Sequence, residues 1–77
     1  YFSAPWCGPC KSFGPTMDRV ASSGIPLSKI NIDYDATAPA KYSIKSVPTV
    51  VLIENGQEVK RFVGVKSFQE VINFYNG

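Results

Sequence analysis

Histidine is absent from this chain of 77 residues, and cysteine occurs only twice. A structural zinc ion is held by four ligands drawn from cysteine and histidine, so one copy of the chain cannot close such a site. No apolar run approaches the roughly 18 residues that a membrane-spanning helix requires. No signal peptide is recognisable, although the chain begins with Tyr1 rather than methionine. We therefore expect no membrane association, and we expect a further segment upstream of Tyr1.

Charge of either sign is also scarce. Lysine and arginine number 8 and aspartate and glutamate 6, which gives a net charge of +2. The basic residues are scattered along the chain, and this pattern gives no support for a nucleic-acid partner. The length is sufficient for one small globular domain but not for two, so we assign residues 1–77 to a single domain.

Hydrophobic periodicity and turn residues divide the chain into seven elements. They are a strand at 1–4, a helix at 7–24, a strand at 27–33, a helix at 35–42, a strand at 49–53, a strand at 58–63 and a helix from 67. The β-α-β start implies a parallel pair of strands with a right-handed crossover. Asn55-Gly56 predicts a hairpin. The predicted fold is α/β, a four-stranded mixed sheet with helices on both faces, in the order β-α-β-α-β-β-α.

Finer features of these elements can also be predicted. Pro15 should kink the first helix, and Ser67 with Glu70 forms a capping box for the last one. The uninterrupted apolar run at 49–53 indicates a strand buried on both faces. The apolar faces of the two longer helices are predicted to be Cys10, Phe13, Met17 and Val20 in the first, and Phe68, Val71, Ile72 and Tyr75 in the last.

The two cysteines, Cys7 and Cys10, lie three positions apart, with Gly8-Pro9 between them and Trp6 in front. They could be part of a metal site shared between two copies, a structural crosslink, or a catalytic redox pair. A crosslink around two residues removes little entropy from the unfolded chain. Cys7 would begin a helix, where the dipole and unpaired N–H groups favour a thiolate and lower its pKa. Cys10 lies one helical turn further, in line with Phe13 and Met17, so we expect an exposed thiol at Cys7 and a shielded, protonated thiol at Cys10. A CxxC motif between a strand and a helix of a β-α-β unit therefore favours the redox pair.

The segment WCGPCK, with Val47-Pro48-Thr49, the Asn55-Gly56 hairpin and Gly64, resembles the thioredoxin family over nearly the whole chain. The resemblance implies a thiol–disulfide oxidoreductase, a protein-disulfide reductase, in which Cys7 is the nucleophile and Cys10 the resolving thiol. It implies supporting roles for Trp6, Gly8, Pro9, Lys29 and Pro48, where Pro48 is a cis-proline and Lys29 lies under the site. It implies a groove for the substrate chain formed by Trp6, Val47, Pro48, Gly64 and Val65.

The resemblance further implies no bound cofactor and no metal. The redox-active group would be the Cys7–Cys10 disulfide itself, recharged by a thioredoxin reductase that uses flavin and NADPH. Disulfide-containing proteins would be the substrates, and the chain would act as a monomer in the cytoplasm. Two alternatives stay open from the residues alone, a glutaredoxin-like protein that depends on glutathione and a non-catalytic interaction subunit of the same fold.

The chain departs from the family pattern at two places. The strand and helix that usually precede the active-site strand are not visible in the sequence. The family's buried aspartate, six residues before the first cysteine, is replaced by Tyr1. A phenol titrates near ~10 and cannot accept a proton near neutral pH. Asp33 and Asp35 follow the second strand and are expected to lie too far along it to serve Cys10. Water or the departing substrate thiolate is therefore the expected proton acceptor.

Overall fold

The central sheet has four strands in the spatial order β2-β1-β3-β4, in a computed structural model that describes all residues Tyr1–Gly77. Its elements are β1 (Phe2–Ser3), α1 (Gly8–Ser22), β2 (Ile30–Asn31), α2 (Thr37–Lys41), β3 (Thr49–Glu54), β4 (Gln57–Val63) and α3 (Phe68–Asn76). Strand β1 is parallel to β2 and antiparallel to β3, and β3 and β4 are antiparallel. The predicted order of elements and the mixed sheet are confirmed.

Strand β2 is much shorter than the predicted strand at 27–33. Its pairing with β1 nevertheless extends past the regular strand, because the Ile32 N–H donates to the Ser3 carbonyl at 3.0 Å. Beyond that point the side-chain oxygen of Asn31 accepts the N–H of Asp33 at 2.9 Å. This side-chain bond competes with the sheet ladder and turns the chain away from it.

Helix α1 carries the main core of the protein. The four residues predicted for its apolar face are all buried. Phe13 has no exposed surface, and its ring meets the edges of Tyr1 and Phe62 at centroid distances of 5.6 and 6.2 Å. The spacing of apolar residues therefore predicted the buried face of α1 correctly. Pro15 lies within α1, which remains continuous as an α-helix on both sides of it.

The β3–β4 hairpin turns at Asn55-Gly56, as predicted. Both residues have positive φ, 54° and 79°, which a tight two-residue turn of this kind requires. The prediction that strand 49–53 is buried on both faces holds only for its first half. Thr49 and Val50 are buried, whereas Ile53 is exposed. The second half of β3 lines an open apolar cleft of about 580 Å³, together with residues of all three helices.

Helix α3 begins with the predicted capping box between Ser67 and Glu70. The Ser67 backbone N–H donates to the Glu70 carboxylate at 3.0 Å and holds the pKa of that carboxyl below its usual range. On the predicted apolar face of this helix, Val71 is buried and Phe68 and Ile72 pack against the core, but Tyr75 does not. The ring of Phe74 packs edge-on against Phe62 at 4.9 Å, while Tyr75 stays 38% exposed. Residues 71 and 74 are three positions apart and so share the inward side of the helix.

Candidate active site

Cys7 lies between the end of β1 and the start of α1. Its backbone is extended, with φ −85° and ψ 112°, and it forms the N-cap of α1. Gly8 and Pro9 occupy the first two helical positions, where the missing N–H of proline leaves no intrahelical bond unmade. The Cys7 N–H donates to the Ala4 carbonyl at 3.2 Å and closes the turn before the helix. The sequence Cys-Gly-Pro-Cys therefore begins the helix at the first cysteine.

Cys7 and Cys10 form a disulfide, with their Cα atoms 5.2 Å apart. The Cys10 backbone N–H donates to Cys7 Sγ at 3.2 Å. The first turn of α1 contains no acidic residue that would oppose a negative charge there. An N–H donor and the positive end of a helix both stabilise an anion. In the reduced protein these two features favour a thiolate at Cys7.

The sequence led us to expect different exposures for the two cysteines, but their exposures are nearly equal. Cys7 is 5% exposed and Cys10 is 6% exposed in the disulfide form. Both pack with Ala4, and the side chains of Ile32 and Val47 cover them. The expectation of an exposed first sulfur above a shielded second one is therefore wrong for this state. The local electrostatics at the helix start distinguish the two sulfurs, and burial does not.

Trp6 projects from the protein beside the disulfide. It is 66% exposed, and its indole Nε1–H donates to Asp33 Oδ1 at 3.2 Å. The sequence predicted that Asp33 lies too far along the second strand to accept a proton from Cys10, and it gave no expectation of a contact with Trp6. The carboxyl ends of parallel β1 and β2 meet at one edge of the sheet, and Asp33 follows β2 just as Trp6 follows β1. The parallel pairing of the first two strands was therefore the feature from which this contact could have been predicted.

The other predicted groove residues come from the open end of the β3–β4 hairpin, where β3 begins and β4 ends. The Val47–Pro48 peptide is cis, as expected from the resemblance. The Val47 carbonyl oxygen lies 3.6 Å from Cys7 Sγ. The Gly64 N–H donates to the Pro48 carbonyl at 2.9 Å, and Gly64 adopts a φ of +97° that favours glycine. Val65 follows as an exposed apolar side chain. Val47 thus contacts the cysteine pair. Gly64 is linked to this segment by its hydrogen bond to Pro48, the residue next to Val47.

Lys29 forms an ion pair at the surface of the protein. Its ammonium group pairs with the Asp18 carboxylate, and both side chains are about half exposed. Asp18 lies on α1, eight residues beyond Cys10 and therefore more than two helical turns away. The ion pair with α1 therefore holds the Lys29 side chain at the surface, and its supporting role beneath the cysteines stays a prediction.

Tyr1 occupies a position in the core. It is 7% exposed and belongs to the cluster around Phe13 and Met17. Burial raises the pKa of the Tyr1 phenol above its ordinary value, so the side chain is neutral at physiological pH.

No three side chains of the histidine, cysteine, aspartate and glutamate types lie close enough together to hold a metal ion.

Comparison with known proteins decides the family. The thioredoxin family profile matches residues 1–76. The chain belongs to the thioredoxin family. It is 40% identical to the thioredoxin of Haemophilus influenzae over 97% of this chain and 73% of that protein. It is 41% identical to the thioredoxin of Chlamydia caviae, over 97% of this chain and 76% of the relative.

Solved thioredoxin structures have the same fold. The crystal structure of Fasciola hepatica thioredoxin superposes with a TM-score of 0.88 at 34% identity, covering 97% of this chain and 73% of that one. A mutant thioredoxin from Halobacterium salinarum gives 0.89 at 29% identity, covering 97% and 67%.

Membership of the thioredoxin family establishes the reaction. The chain is a thiol–disulfide oxidoreductase that reduces protein disulfides, and its redox-active group is the cysteine pair of the protein itself. Thioredoxins carry no bound cofactor. The relatives are thioredoxins, which decides against the glutaredoxin-like alternative.

Proposed function

We propose that Cys7 is the attacking thiol of this thioredoxin and Cys10 the resolving thiol. The observation that carries the assignment is the N–H of Cys10, which donates to Cys7 Sγ at the N-cap of α1. Cys10 is the third residue of the helix, and its Sγ accepts no hydrogen bond from a backbone N–H. The attacking species in disulfide exchange is a thiolate, so the better stabilised anion attacks first.

The reaction then proceeds in two exchanges. Cys7 thiolate attacks one sulfur of the substrate disulfide, an S–S bond forms to Cys7, and the other substrate sulfur leaves as a thiolate that takes a proton from water. Cys10 then loses its proton and attacks Cys7 Sγ. The mixed disulfide breaks, the second substrate thiolate leaves, and the Cys7–Cys10 disulfide forms. Two electrons have passed from the dithiol to the substrate.

The proton of Cys10 needs an acceptor other than a buried aspartate. Tyr1 stands at that position, and burial raises the pKa of its phenol, so the side chain holds its own proton at neutral pH. Lys29 is paired with Asp18 on the surface. We assign the role to water or to the departing substrate thiolate, both of which reach the sulfurs during exchange.

The apolar groove beside the disulfide would hold the substrate chain. It comprises Trp6, Val47, Pro48, Gly64 and Val65. Trp6 and Val65 are exposed on its rim, while Val47 covers the cysteines. An apolar surface next to the reacting sulfurs gains free energy when a substrate covers it, at about 25 cal/mol per Å².

Recharging would come from a thioredoxin reductase that passes two electrons from NADPH through its flavin to the Cys7–Cys10 disulfide. Disulfide-containing proteins would be the oxidising partners. We further propose that residues 1–77 act as one domain and as a monomer in the cytoplasm, where a reducing environment suits a dithiol of this kind. None of the three helices has the length and hydropathy of a membrane span.

Trapping of the mixed disulfide tests the assignment. The Cys10→Ser variant retains Cys7 and the backbone N–H of residue 10, but it lacks the thiol that releases the substrate. When it is mixed with insulin whose disulfides are intact, this variant should accumulate a covalent adduct, visible by non-reducing electrophoresis and mass spectrometry. The matched Cys7→Ser variant should form little adduct. Adducts of equal yield from both variants would contradict the assigned roles.

A further inference from the structure

Tyr34 is the most exposed of the large hydrophobic side chains of the protein. It is 87% exposed, more than Trp6 at 66%, and it follows directly after the residue that holds the Trp6 indole. Single exposed apolar residues are common on protein surfaces and need no explanation. Tyr34 is different because of its place, one residue after Asp33, which accepts a hydrogen bond from the tryptophan that precedes Cys7.

The turn that carries Tyr34 is fixed on both sides. The backbone N–H groups of Tyr34 and Asp35 both donate to the Asn31 carbonyl at 3.0 Å, and the Asp33 N–H donates to the Asn31 side chain. On the far side, Asp35 Oδ1 accepts the N–H of Thr37 at 2.9 Å at the start of α2. Tyr34 therefore presents its ring from an ordered backbone, and fixing the ring on a partner requires ordering little more than its own side chain.

This turn is also joined to the active site. Asp33, within the turn, accepts the indole N–H of Trp6, the residue immediately before Cys7. A substrate that contacts Trp6 while its disulfide reaches Cys7 is therefore brought next to the turn that carries Tyr34. Rigid, exposed aromatic rings are over-represented among residues that dominate binding energy, because they bury a large area at a small entropic loss.

We propose that Tyr34 is a substrate-recognition residue of this thioredoxin, whose ring packs on the protein substrate beside Trp6. This inference rests on the proposed function of the cysteine pair. The substrate class is a folded protein or peptide with side chains next to its disulfide. A disulfide too small to reach beyond Trp6 gains nothing from Tyr34, and that difference separates recognition from chemistry.

The test compares reduced wild-type protein with three variants in single-turnover oxidation. Tyr34→Ala removes the ring, Tyr34→Phe keeps it, and Tyr75→Ala removes another exposed tyrosine, on α3. Each is mixed separately with insulin and with cystine, quenched with an alkylating reagent and weighed by mass spectrometry. Tyr34→Ala should react with insulin about three- to tenfold more slowly than wild type and with cystine at the same rate. Tyr34→Phe and Tyr75→Ala should match wild type with both.

The possible results are distinct. An unchanged insulin rate in Tyr34→Ala overturns the inference and leaves the reaction of Cys7 and Cys10 intact. An equal loss with insulin and cystine also overturns it, because the ring would then act on the chemistry rather than on recognition. A wild-type protein oxidised by neither disulfide would overturn the proposed function and, with it, this inference.

Discussion

Replacement of Tyr1 by aspartate would return a carboxyl group to the position where the family carries one, and the structure predicts that the fold loses stability. The Tyr1 side chain is 7% exposed and packs edge-on against Phe13. Removal of a buried aromatic ring from a core lowers the free energy of unfolding by about 3–5 kcal/mol. A chain of 77 residues, at roughly 0.05–0.15 kcal/mol per residue, has about 4–12 kcal/mol in total.

The charge of the new carboxyl adds a second loss that depends on pH. The same burial that raises the pKa of the Tyr1 phenol would raise the pKa of Asp at this position above the ~3.9 of the unfolded chain. The folded state then binds the proton more tightly than the unfolded state. Relative to an uncharged side chain, stability is unaffected below about pH 4. It then falls by about 1.36 kcal/mol per pH unit until the raised pKa is passed.

The matched control is Tyr1→Asn, which loses the same ring and has nearly the same shape but cannot ionise. Urea unfolding followed by circular dichroism at several pH values between 4 and 8 gives the free energy for both variants. In the 77-residue polypeptide the α-amino group of Tyr1 also titrates here, because burial lowers its pKa to about 6. This ammonium would interact with the Asp carboxylate of the same residue and not with Asn, so both variants are prepared with an acetylated N-terminus.

Equal stability of the Asp and Asn variants at every pH would refute the reasoning, since it would mean that position 1 is solvated. Unfolding of Tyr1→Asp near pH 7, under conditions in which Tyr1→Asn stays folded, would support it as directly as a measured difference. Tyr1→Phe keeps the ring and should lie within about 1 kcal/mol of wild type, because it retains nearly all of the buried area.

Two further predictions concern the site and the core. At pH 7 a free thiol with a pKa near ~8.5 is only a few per cent ionised. Cys7 in Cys10→Ser should therefore react with iodoacetamide about tenfold or more faster than Cys10 in Cys7→Ser. Similar rates, followed by mass spectrometry, would remove the electrostatic distinction between the sulfurs. Phe13→Ala should lose about 3–5 kcal/mol in urea unfolding, because Phe13 is fully buried between two rings. The half-buried Phe68→Ala should lose clearly less, and an equal loss would contradict the assigned core.

Local rules of the chain were enough to predict several features from the sequence. The N-cap at Cys7, the capping box at Ser67 and the turn at Asn55-Gly56 each depend on residues within four positions of one another. The buried face of α1 depends only on helical spacing. The β-α-β start predicted the parallel pair, because the crossover helix returns the chain to the end of the sheet where the first strand began. For the same reason the cysteine pair could be interpreted as a redox site, since both thiols lie on a single helical turn.

The tertiary structure alone decided which residues meet across the sheet. Asp33 reaches Trp6 because β1 and β2 end at the same edge, although 27 positions separate the two residues. Lys29 turns to Asp18 rather than toward the cysteines, and Phe74 rather than Tyr75 enters the core. These outcomes depend on packing geometry between distant segments, where one pattern of polar and apolar residues permits several partners. The sequence determined the chemistry of the site, and the packing determined its neighbours.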